Sequence, residues 1–263
     1  MLDIHCHILA WVDDGSENFE MSLNMCKVAE LDGIRTIIAT PHYISGERGN
    51  PKAELIVDMT KELNNQLERQ GIYVNILPGM EVYISPDLPE LYKNGQILTL
   101  NNSRYMLIEL PMNNIPLYTN DVIYSLQMND MVPVIAHPER NVVLRNKQGK
   151  IDELIEKGAL MQVNAGSLRG AFGESVQKAA FDMVNKRLIH FIATDAHSDK
   201  KRRPELREAY DMIRNMDKDL FLKVADNSYK ILNNKEIQVE CIVECRTKAE
   251  ASNMGFLCPI LGK

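Results

Sequence analysis

Hydrophobic and polar positions follow two alternating patterns along this chain. Short apolar runs of the kind that form buried strands occur seven times, over residues 2–7, 34–40, 73–81, 105–110, 132–136, 160–164 and 188–194. Between them, apolar residues recur at helical spacing, over residues 19–31, 53–70, 117–128, 151–157, 174–186 and 205–216. Strands that alternate with helices in this way predict βαβ crossovers and a parallel sheet.

Six or more such units in 263 residues favour a closed α/β barrel. An open doubly wound sheet has the same local pattern and stays the structural alternative. The pattern changes after residue 234, where residues 236–245 predict one short strand before an irregular end. We therefore expect a barrel domain over residues 1–235 and a tail of unknown role over residues 236–263.

Composition narrows the class of protein. The formal net charge of −6 gives no general attraction to nucleic acid or anionic lipid. The first residues lack a basic segment followed by a long apolar run, and no stretch is apolar enough to span a membrane. We expect a cytoplasmic protein without nucleic-acid binding or membrane insertion. Five cysteines without CxxC spacing argue against a disulfide framework or a thiolate zinc site, and Cys6 and Cys26 are predicted to be buried.

Two histidines end the first predicted strand. Side chains repeat every second residue on a strand, so His5 and His7 project from the same face and form a chelating pair. Taken alone, they could be two core histidines with hydrogen-bond partners.

The other predicted strands favour a metal site, because most of them also end on a nitrogen or oxygen donor. Barrel enzymes place their active sites at these carboxyl ends. His190 begins a strand instead, and we assign it to structure. The donors at or after strand ends, with two carboxylates on the first loop, are Asp13, Asp14, His42, Glu81, Glu109, His137, Asp195 and His197.

Imidazoles and carboxylates without thiolates suit manganese, iron or zinc. The donors outnumber the ligands of one tetrahedral ion, so at least two ions are expected. Two ions about 4 Å apart can hold a bridging hydroxide that attacks phosphorus, and they can clamp the phosphoryl oxygens. Glu81 is the natural bridging carboxylate.

A phosphate substrate also needs cations beside the metal. Arg140 stands three residues after His137, and Arg202 stands five residues after His197. A guanidinium matches phosphate oxygens, although residues 200–203 could instead be a solvated basic loop. Sequences typical of cysteine phosphatases, G-x-S-x-G hydrolases, Walker A proteins and dinucleotide-binding folds do not occur.

Taken together, these motifs resemble the polymerase and histidinol phosphatase (PHP) superfamily, specifically the bacterial manganese-dependent tyrosine-protein phosphatases of capsule and exopolysaccharide operons. The resemblance covers residue 1 to about residue 235. The motifs that carry it are Asp3-Ile4-His5-Cys6-His7, Asp13-Asp14-Gly15, Thr40-Pro41-His42, Pro78-Gly79-Met80-Glu81, Tyr105-Met106-Leu107-Ile108-Glu109-Leu110-Pro111, His137-Pro138-Glu139-Arg140, Asn164-Ala165-Gly166-Ser167-Leu168 and Asp195-Ala196-His197.

The resemblance implies a distorted seven-stranded (β/α)7 TIM-like barrel that holds three divalent ions, manganese by preference and iron or zinc otherwise. It places His5, His7, Glu81 and Asp195 around the first ion. It places Asp14, His42 and His197 around the second, and Glu81, Glu109 and His137 around the third. Arg140 and Arg202 match the catalytic, phosphate-binding arginines of the family. The carboxylate at position 109 favours the tyrosine phosphatases, because the histidinol-phosphate members usually carry a histidine there.

We therefore expect a phosphoric monoester hydrolase that dephosphorylates a phosphotyrosine protein. The resemblance implies that this partner is the tyrosine-rich tail of a membrane-associated autokinase that regulates polysaccharide synthesis. The sequence is compatible with a homo-oligomer but does not give the number of subunits. The alternatives are a small-molecule phosphatase, such as one for histidinol phosphate, and a non-catalytic metal-binding regulator.

Overall fold

Strands and helices alternate along the part of the chain that the structure, a computed structural model, describes, residues 1–147 and 149–238. The strands are β1 (Leu2–Cys6), β2 (Thr36–Ala39), β3 (His42–Tyr43), β4 (Asn75–Pro78), β5 (Glu81–Tyr83), β6 (Tyr105–Glu109), β7 (Val132–Ala136), β8 (Leu160–Asn164) and β9 (Phe191–Ala193). The helices are α1 (Phe19–Asp32), α2 (Ala53–Gln70), α3 (Leu88–Lys93), α4 (Thr119–Gln127), α5 (Val142–Asn146), α6 (Gly149–Glu156), α7 (Ala165–Leu168), α8 (Glu174–Asn185), α9 (Arg207–Met216) and α10 (Lys218–Leu232).

Every pairing between these strands is parallel, so the predicted parallel α/β fold is confirmed. One sheet has the order β1-β2-β4, and the other has the order β3-β5-β6-β7-β8-β9. A parallel bridge between Cys6 and Ala196 joins the end of β1 to the segment after β9. The first and last strands of the described chain are therefore neighbours. All the carboxyl ends point the same way, which places the loops after the strands together.

Two of the predicted strands are interrupted. The predicted strand 34–40 ends as β2, and the chain resumes as β3 after Pro41, which has no N–H to donate. The predicted strand 73–81 divides into β4 and β5 around Gly79. A Cβ at Gly79 would lie 2.8 Å from Ile38 Cγ2, so the backbone turns there at close approach to β2. Each break places a polar residue, His42 or Glu81, first in the next strand.

The sheet has an apolar inner layer at its amino ends and a polar one at its carboxyl ends. Alternate residues of one strand face the same side, so Tyr105, Leu107 and Glu109 share a face. Tyr105 and Leu107 pack in the same buried cluster as Val134, Leu160 and Phe191. On β6 and β8 the residue that continues this row toward the strand end is polar, Glu109 or Gln162. This change from apolar to polar along one face positions the site.

The helices cover the outer face. Helix α2 has the predicted bounds 53–70, and helices α1, α4, α6, α8 and α9 lie within two residues of the predicted bounds at each end. Helix α10 was not predicted. Its signals are present in the sequence, because Asp217 caps it by accepting from Leu220 N at 2.9 Å and apolar residues follow at helical spacing. Short helices α3, α5 and α7 were also missed.

Residues 236–238 form no regular element, and the rest of the predicted strand 236–245 lies outside the described residues. The boundary at residue 235 stays a prediction. Within the described residues, no helix is both long and apolar enough to cross a membrane. Cys6 and Cys26 are fully buried thiols, as predicted. His190 is buried, and its Nδ1 accepts from Met161 N at 3.0 Å, which is a structural contact.

Candidate active site

Glu81 lies at the centre of the pocket where the strands end. Its Oε2 lies 3.2 Å from His5 Nε2 and 3.3 Å from His7 Nε2. The same oxygen lies 3.0 Å from His42 Nδ1. Its other oxygen, Oε1, lies 3.0 Å from His137 Nε2. Four histidines from three different segments of the chain therefore surround one carboxylate.

The remaining predicted donors lie around this centre. Asp195 Oδ1 is 3.5 Å from His197 Nδ1 and 3.5 Å from the Nε2 atom of His5. Asp14 Oδ1 is 3.3 Å from His197 Nε2 and 3.5 Å from His42 Nε2. Glu109 is further out, 3.7 Å from His137 Nε2 and 3.8 Å from His42 Nδ1. The structure thus brings all nine predicted metal donors to one end of the sheet.

Four groups of these residues have donor atoms within 4.8 Å of one another: His7-Asp14-His42-His197, His5-His7-Glu81, His5-His137-Asp195 and His42-Glu81-Glu109. The grouping differs in part from the one that the resemblance implies. His7 joins the group of Asp14, and Glu109 groups with His42 rather than with His137. Several residues belong to two groups, so neighbouring ions would share ligands.

The imidazoles of His5 and His7 are each oriented by a hydrogen-bond acceptor at their Nδ1 atoms. His5 Nδ1 lies 2.8 Å from Gln162 Oε1, and His7 Nδ1 lies 2.6 Å from Asp13 Oδ2. Amide and carboxylate oxygens accept hydrogen bonds, so each Nδ1 donates one and each Nε2 is left facing the pocket. This is how metal-binding histidines are usually held.

The centre fits a divalent cation. The two Nε2 atoms of His5 and His7 are 3.1 Å apart, and their lone pairs would repel each other without a cation between them. Glu81 Oε2 is fully buried and accepts no hydrogen bond. A buried carboxylate oxygen without a partner is costly, and a metal ion would satisfy it. The donor set of nitrogen and oxygen atoms is also the one that such ions prefer.

The charges of the pocket stabilise one another. Burial lowers the pKa of His5, but Glu81 and Asp195 outweigh burial and raise that pKa above its ordinary value. Burial raises the pKa of Glu81, yet the imidazoles of His5 and His137 outweigh it and hold that pKa well below its usual range. Burial and the charge of Glu81 raise the pKa of Glu109. The central carboxylate is therefore kept ionised, as a metal ligand must be.

One side of the pocket is open. His5, His7 and Glu81 are fully buried, whereas the side chains of Asp14 and His42 are 68% and 28% exposed. A substrate can therefore reach the pocket on this side, where Asp14 and His42 lie.

Two arginines converge beside the open side. Arg140 Nη1 lies 2.8 Å and Arg202 Nη2 lies 2.6 Å from Asp195 Oδ2. Both guanidinium groups also stack on the ring of Phe172, with their Cζ atoms 4.6 Å and 5.7 Å from the ring centre. The sequence therefore predicted both cations, and the structure adds the ring that holds them. His197 N donates to Arg202 O at 2.9 Å, which ties the arginine loop to the pocket.

Two of the predicted ligands have an unusual backbone conformation. His137 has φ 33° and Asp195 has φ 51°, in the left-handed region that favours glycine. Strained residues of this kind cluster at functional sites, where the surrounding structure fixes their geometry.

The prediction from sequence missed the residues that support the donors. Gln162 and Asn164 on β8 are the main omissions: Gln162 Nε2 donates to Asn164 Oδ1 at 2.8 Å, and Asn164 Nδ2 donates to Asp195 Oδ2 at 2.6 Å. Both face inward near the end of a strand, so the rule that found the charged donors would have found these amides too. The position of Phe172 had no comparable signal.

A centre of clustered histidines and carboxylates at the carboxyl ends of parallel strands, with two arginines beside it, defines a metal-dependent hydrolase. The chain belongs to the CpsB/CapC family of capsular polysaccharide synthesis, whose sequence profile matches residues 1–233. The resemblance found in the sequence is thereby confirmed.

Individual relatives support membership of this family. The chain is 38% identical over 238 residues to "Tyrosine-protein phosphatase YwqE" of Bacillus subtilis, covering 90% of this chain and 93% of that protein. It is 32% identical over 247 residues to "Tyrosine-protein phosphatase CpsB" of Streptococcus agalactiae, covering 90% of this chain and 100% of that protein. A crystal structure described as one of the "unique metal-dependent tyrosine phosphatases" YwqE from Bacillus subtilis and CpsB from Streptococcus pneumoniae matches with TM-score 0.88 and 37% identity, covering 92% of this chain and 98% of that one.

Proposed function

We propose that this chain is a metal-dependent protein-tyrosine phosphatase of capsular polysaccharide synthesis. The observation that carries the proposal is the central carboxylate, Glu81, whose fully buried Oε2 accepts no hydrogen bond and lies 3.0–3.3 Å from three imidazole nitrogens, with two convergent arginines nearby. Such a pocket is built for cations and for an anionic substrate. The named activities of relatives that match over 90% of the chain support the same reading.

The proposed metal ligands are the donors that converge on the pocket: His5, His7, Asp14, His42, Glu81, Glu109, His137, Asp195 and His197. Bound divalent ions would supply a nucleophilic hydroxide and stabilise charge on the phosphoryl oxygens. The overlap of the four donor groups supports two to three ions, with manganese the proposed metal and iron or zinc the alternatives.

Arg140 and Arg202 bind the phosphate. Their planar donor groups match its oxygens, and the ring of Phe172 restricts their movement. Preorganised donors that meet developing charge are the main source of catalysis in phosphoryl transfer. The leaving phenol has a pKa of about 10, so its departure needs little help from a general acid.

We also propose the closed form of the barrel, the substrate and the cellular location. The strands form one closed, distorted seven-stranded barrel of the PHP type, which the Cys6–Ala196 bridge between the first and last strands supports. The substrate is the tyrosine-rich tail of a membrane-associated kinase, and the enzyme acts in the cytoplasm. The capsular family and the phosphatase names of the relatives support that substrate class.

Metal-dependent hydrolysis of three substrates tests the function. We expect chelator-treated protein to be inactive, and we expect added Mn²⁺ to restore hydrolysis of a phosphotyrosine peptide in preference to histidinol phosphate and a nucleotide monophosphate. Preference for histidinol phosphate would instead support a small-molecule phosphatase. Metal binding without turnover on any substrate would support a non-catalytic regulator.

Two variants test the centre itself. We expect His42→Ala and Glu81→Gln to lower kcat by at least about a hundredfold, because each removes a ligand from a shared site. Their circular dichroism should match the wild type. The matched control is Lys61→Ala, which removes an exposed ion pair on α2 and should retain full activity. Undiminished turnover in either ligand variant would refute the proposed centre.

A further inference from the structure

Trp11 is the most unusual surface residue near the active site. It is the only tryptophan of the chain, and 72% of it is exposed. Its φ of 62° lies in the left-handed region, which is unfavourable for a residue with a large side chain. The strained backbone costs stability, and a ring that stays in solvent recovers little of it by burial, so the residue calls for a functional reason.

The surrounding loop fixes Trp11 in this conformation. Trp11 N donates to Ser16 O at 3.0 Å, and Ser16 N donates to His7 O at 3.1 Å. Gly15 packs so closely that a Cβ there would lie 2.2 Å from the same His7 oxygen. Ala10, the residue before Trp11, is buried. Trp11 is therefore held in place by the backbone around it, while its own side chain stays largely in solvent.

The same loop forms the rim of the open side of the pocket. Asp13 accepts from His42 N at 3.0 Å and contacts His7, so the loop is attached to two proposed ligands. Asp14, three residues after Trp11, contacts His42 and His197 with a largely exposed side chain. A phosphate that enters past Asp14 brings the group that carries it to the rim where Trp11 lies.

We propose that Trp11 contacts the polypeptide around the phosphotyrosine, which makes it a specificity-determining residue for protein substrates rather than for free phosphate esters. The inference rests on the proposed function. Tryptophan gives a large and rigid contact area at low cost in side-chain entropy, which is why it is enriched among the residues that dominate protein interfaces. The buried donors and arginines act on the phosphate, and the exposed ring acts on what surrounds it.

A sole tryptophan makes binding directly visible, because all tryptophan emission of the full-length, Mn²⁺-loaded protein comes from residue 11. We expect a peptide that contains a non-hydrolysable phosphonate analogue of phosphotyrosine to shift or quench that emission at saturation. Inorganic phosphate should leave the emission maximum where it was. An emission spectrum that is the same with and without saturating peptide would overturn the inference.

Kinetics of Trp11→Gly provide the second test. We expect the ratio of kcat/KM for a phosphotyrosine peptide to kcat/KM for phenyl phosphate to fall roughly tenfold, mainly through KM for the peptide. Trp11→Phe should recover part of the ratio. Since glycine adopts a φ of 62° without strain, the Tm of Trp11→Gly should not fall, whereas removal of a purely structural residue would lower it.

The matched control is Tyr73→Ala, which removes an aromatic residue that is 77% exposed before β4, at the opposite end of the sheet. It should keep the wild-type ratio. An unchanged ratio in Trp11→Gly, or an equal loss on both substrates, would overturn the inference and leave the phosphatase assignment intact. Wild-type protein that is inactive on every phosphotyrosine compound would overturn the proposed function, and this inference with it.

Discussion

In the candidate metal centre, His5 and His7 each have one ring nitrogen held by an acceptor and the other directed into the pocket. The acceptor for His5 is an uncharged amide, Gln162, and the acceptor for His7 is a carboxylate, Asp13. Gln162 also leads through Asn164 to Asp195, so two proposed ligands depend on one pair of amides. At this scale the supporting residues matter as much as the ligands, because they set which nitrogen is free and where it points.

Gln162→Leu tests this support. Leucine keeps the volume but cannot accept from His5 Nδ1, so the imidazole loses its preferred tautomer and orientation. We expect metal affinity to fall about 10- to 100-fold in calorimetric titration with Mn²⁺, with the fold retained. Gln70→Leu, at the exposed end of α2, is the control and should bind as the wild type does. Equal affinities for Gln162→Leu and the wild type would mean that the amide has no orienting role.

At the scale of elements, the loop between β1 and α1 is as important as the strands. One backbone hydrogen bond within the loop, from Trp11 N to Ser16 O, and one from Ser16 N to His7 O close it over His7, and it supplies both Asp13 and Asp14. Its close approach to β1 depends on Gly15, where a Cβ would lie 2.2 Å from His7 O and 2.5 Å from His7 Cβ. Any side chain at this position must push the loop away from the strand.

We expect Gly15→Ala to lower the free energy of unfolding by about 1–3 kcal/mol, because it overpacks a tight contact. Phosphatase activity should fall as well, since Asp13 and Asp14 move with the loop. Urea unfolding and steady-state kinetics measure the two effects. Gly149→Ala is the matched control, because nothing lies within 4 Å of a Cβ there and the residue begins α6. The prediction fails if the two alanine variants unfold at the same urea concentration.

At the scale of the whole molecule, the first and last strands are joined by a buried carboxylate. Asp3 on β1 accepts from Thr194 N at 3.0 Å, from His5 N at 3.4 Å and from the Thr194 hydroxyl. Burial raises the pKa of Asp3 from 3.8 to about 6, against the effect of these hydrogen bonds. Ionisation of the Asp3 carboxyl group, which lies between the two strands, therefore destabilises the folded state.

The sign of the pH dependence follows from this shift. The folded state binds the proton of Asp3 more tightly than the unfolded state, so the stability present below pH 3.8 is lost as pH rises through about 6. We expect the wild type to lose roughly 2 kcal/mol relative to Asp3→Asn between pH 4 and pH 7. Denaturant unfolding in chelator measures the difference without metal binding. Asp58→Asn, at an exposed site on α2, is the control. A difference that is constant or grows with pH would contradict the prediction.

The local pattern of apolar and polar residues was enough to predict many of the strands and helices. The period of apolar residues predicted every strand from β6 to β8 to within one residue and predicted the bounds of α2. The rule that active sites lie at strand carboxyl ends selected His5, Glu81 and Asp195 without knowledge of their contacts. The structure confirms these strands and brings the three residues together, because side-chain direction in a strand and the common direction of parallel strands are properties of the local backbone and the topology.

The sequence by itself determined the parallel α/β fold, the donor types and the chemistry that they suit. Only the tertiary structure decided how the donors group and that Gln162 and Asn164 orient them through hydrogen bonds. It also decided that both arginines contact the ring of Phe172 and that Trp11 lies at the rim of the pocket. The physical reason is that these relations join residues far apart in the chain, such as His5 and Gln162, or depend on a single backbone angle. Distances of this kind are set by the packing of whole elements, which no local pattern of residues specifies.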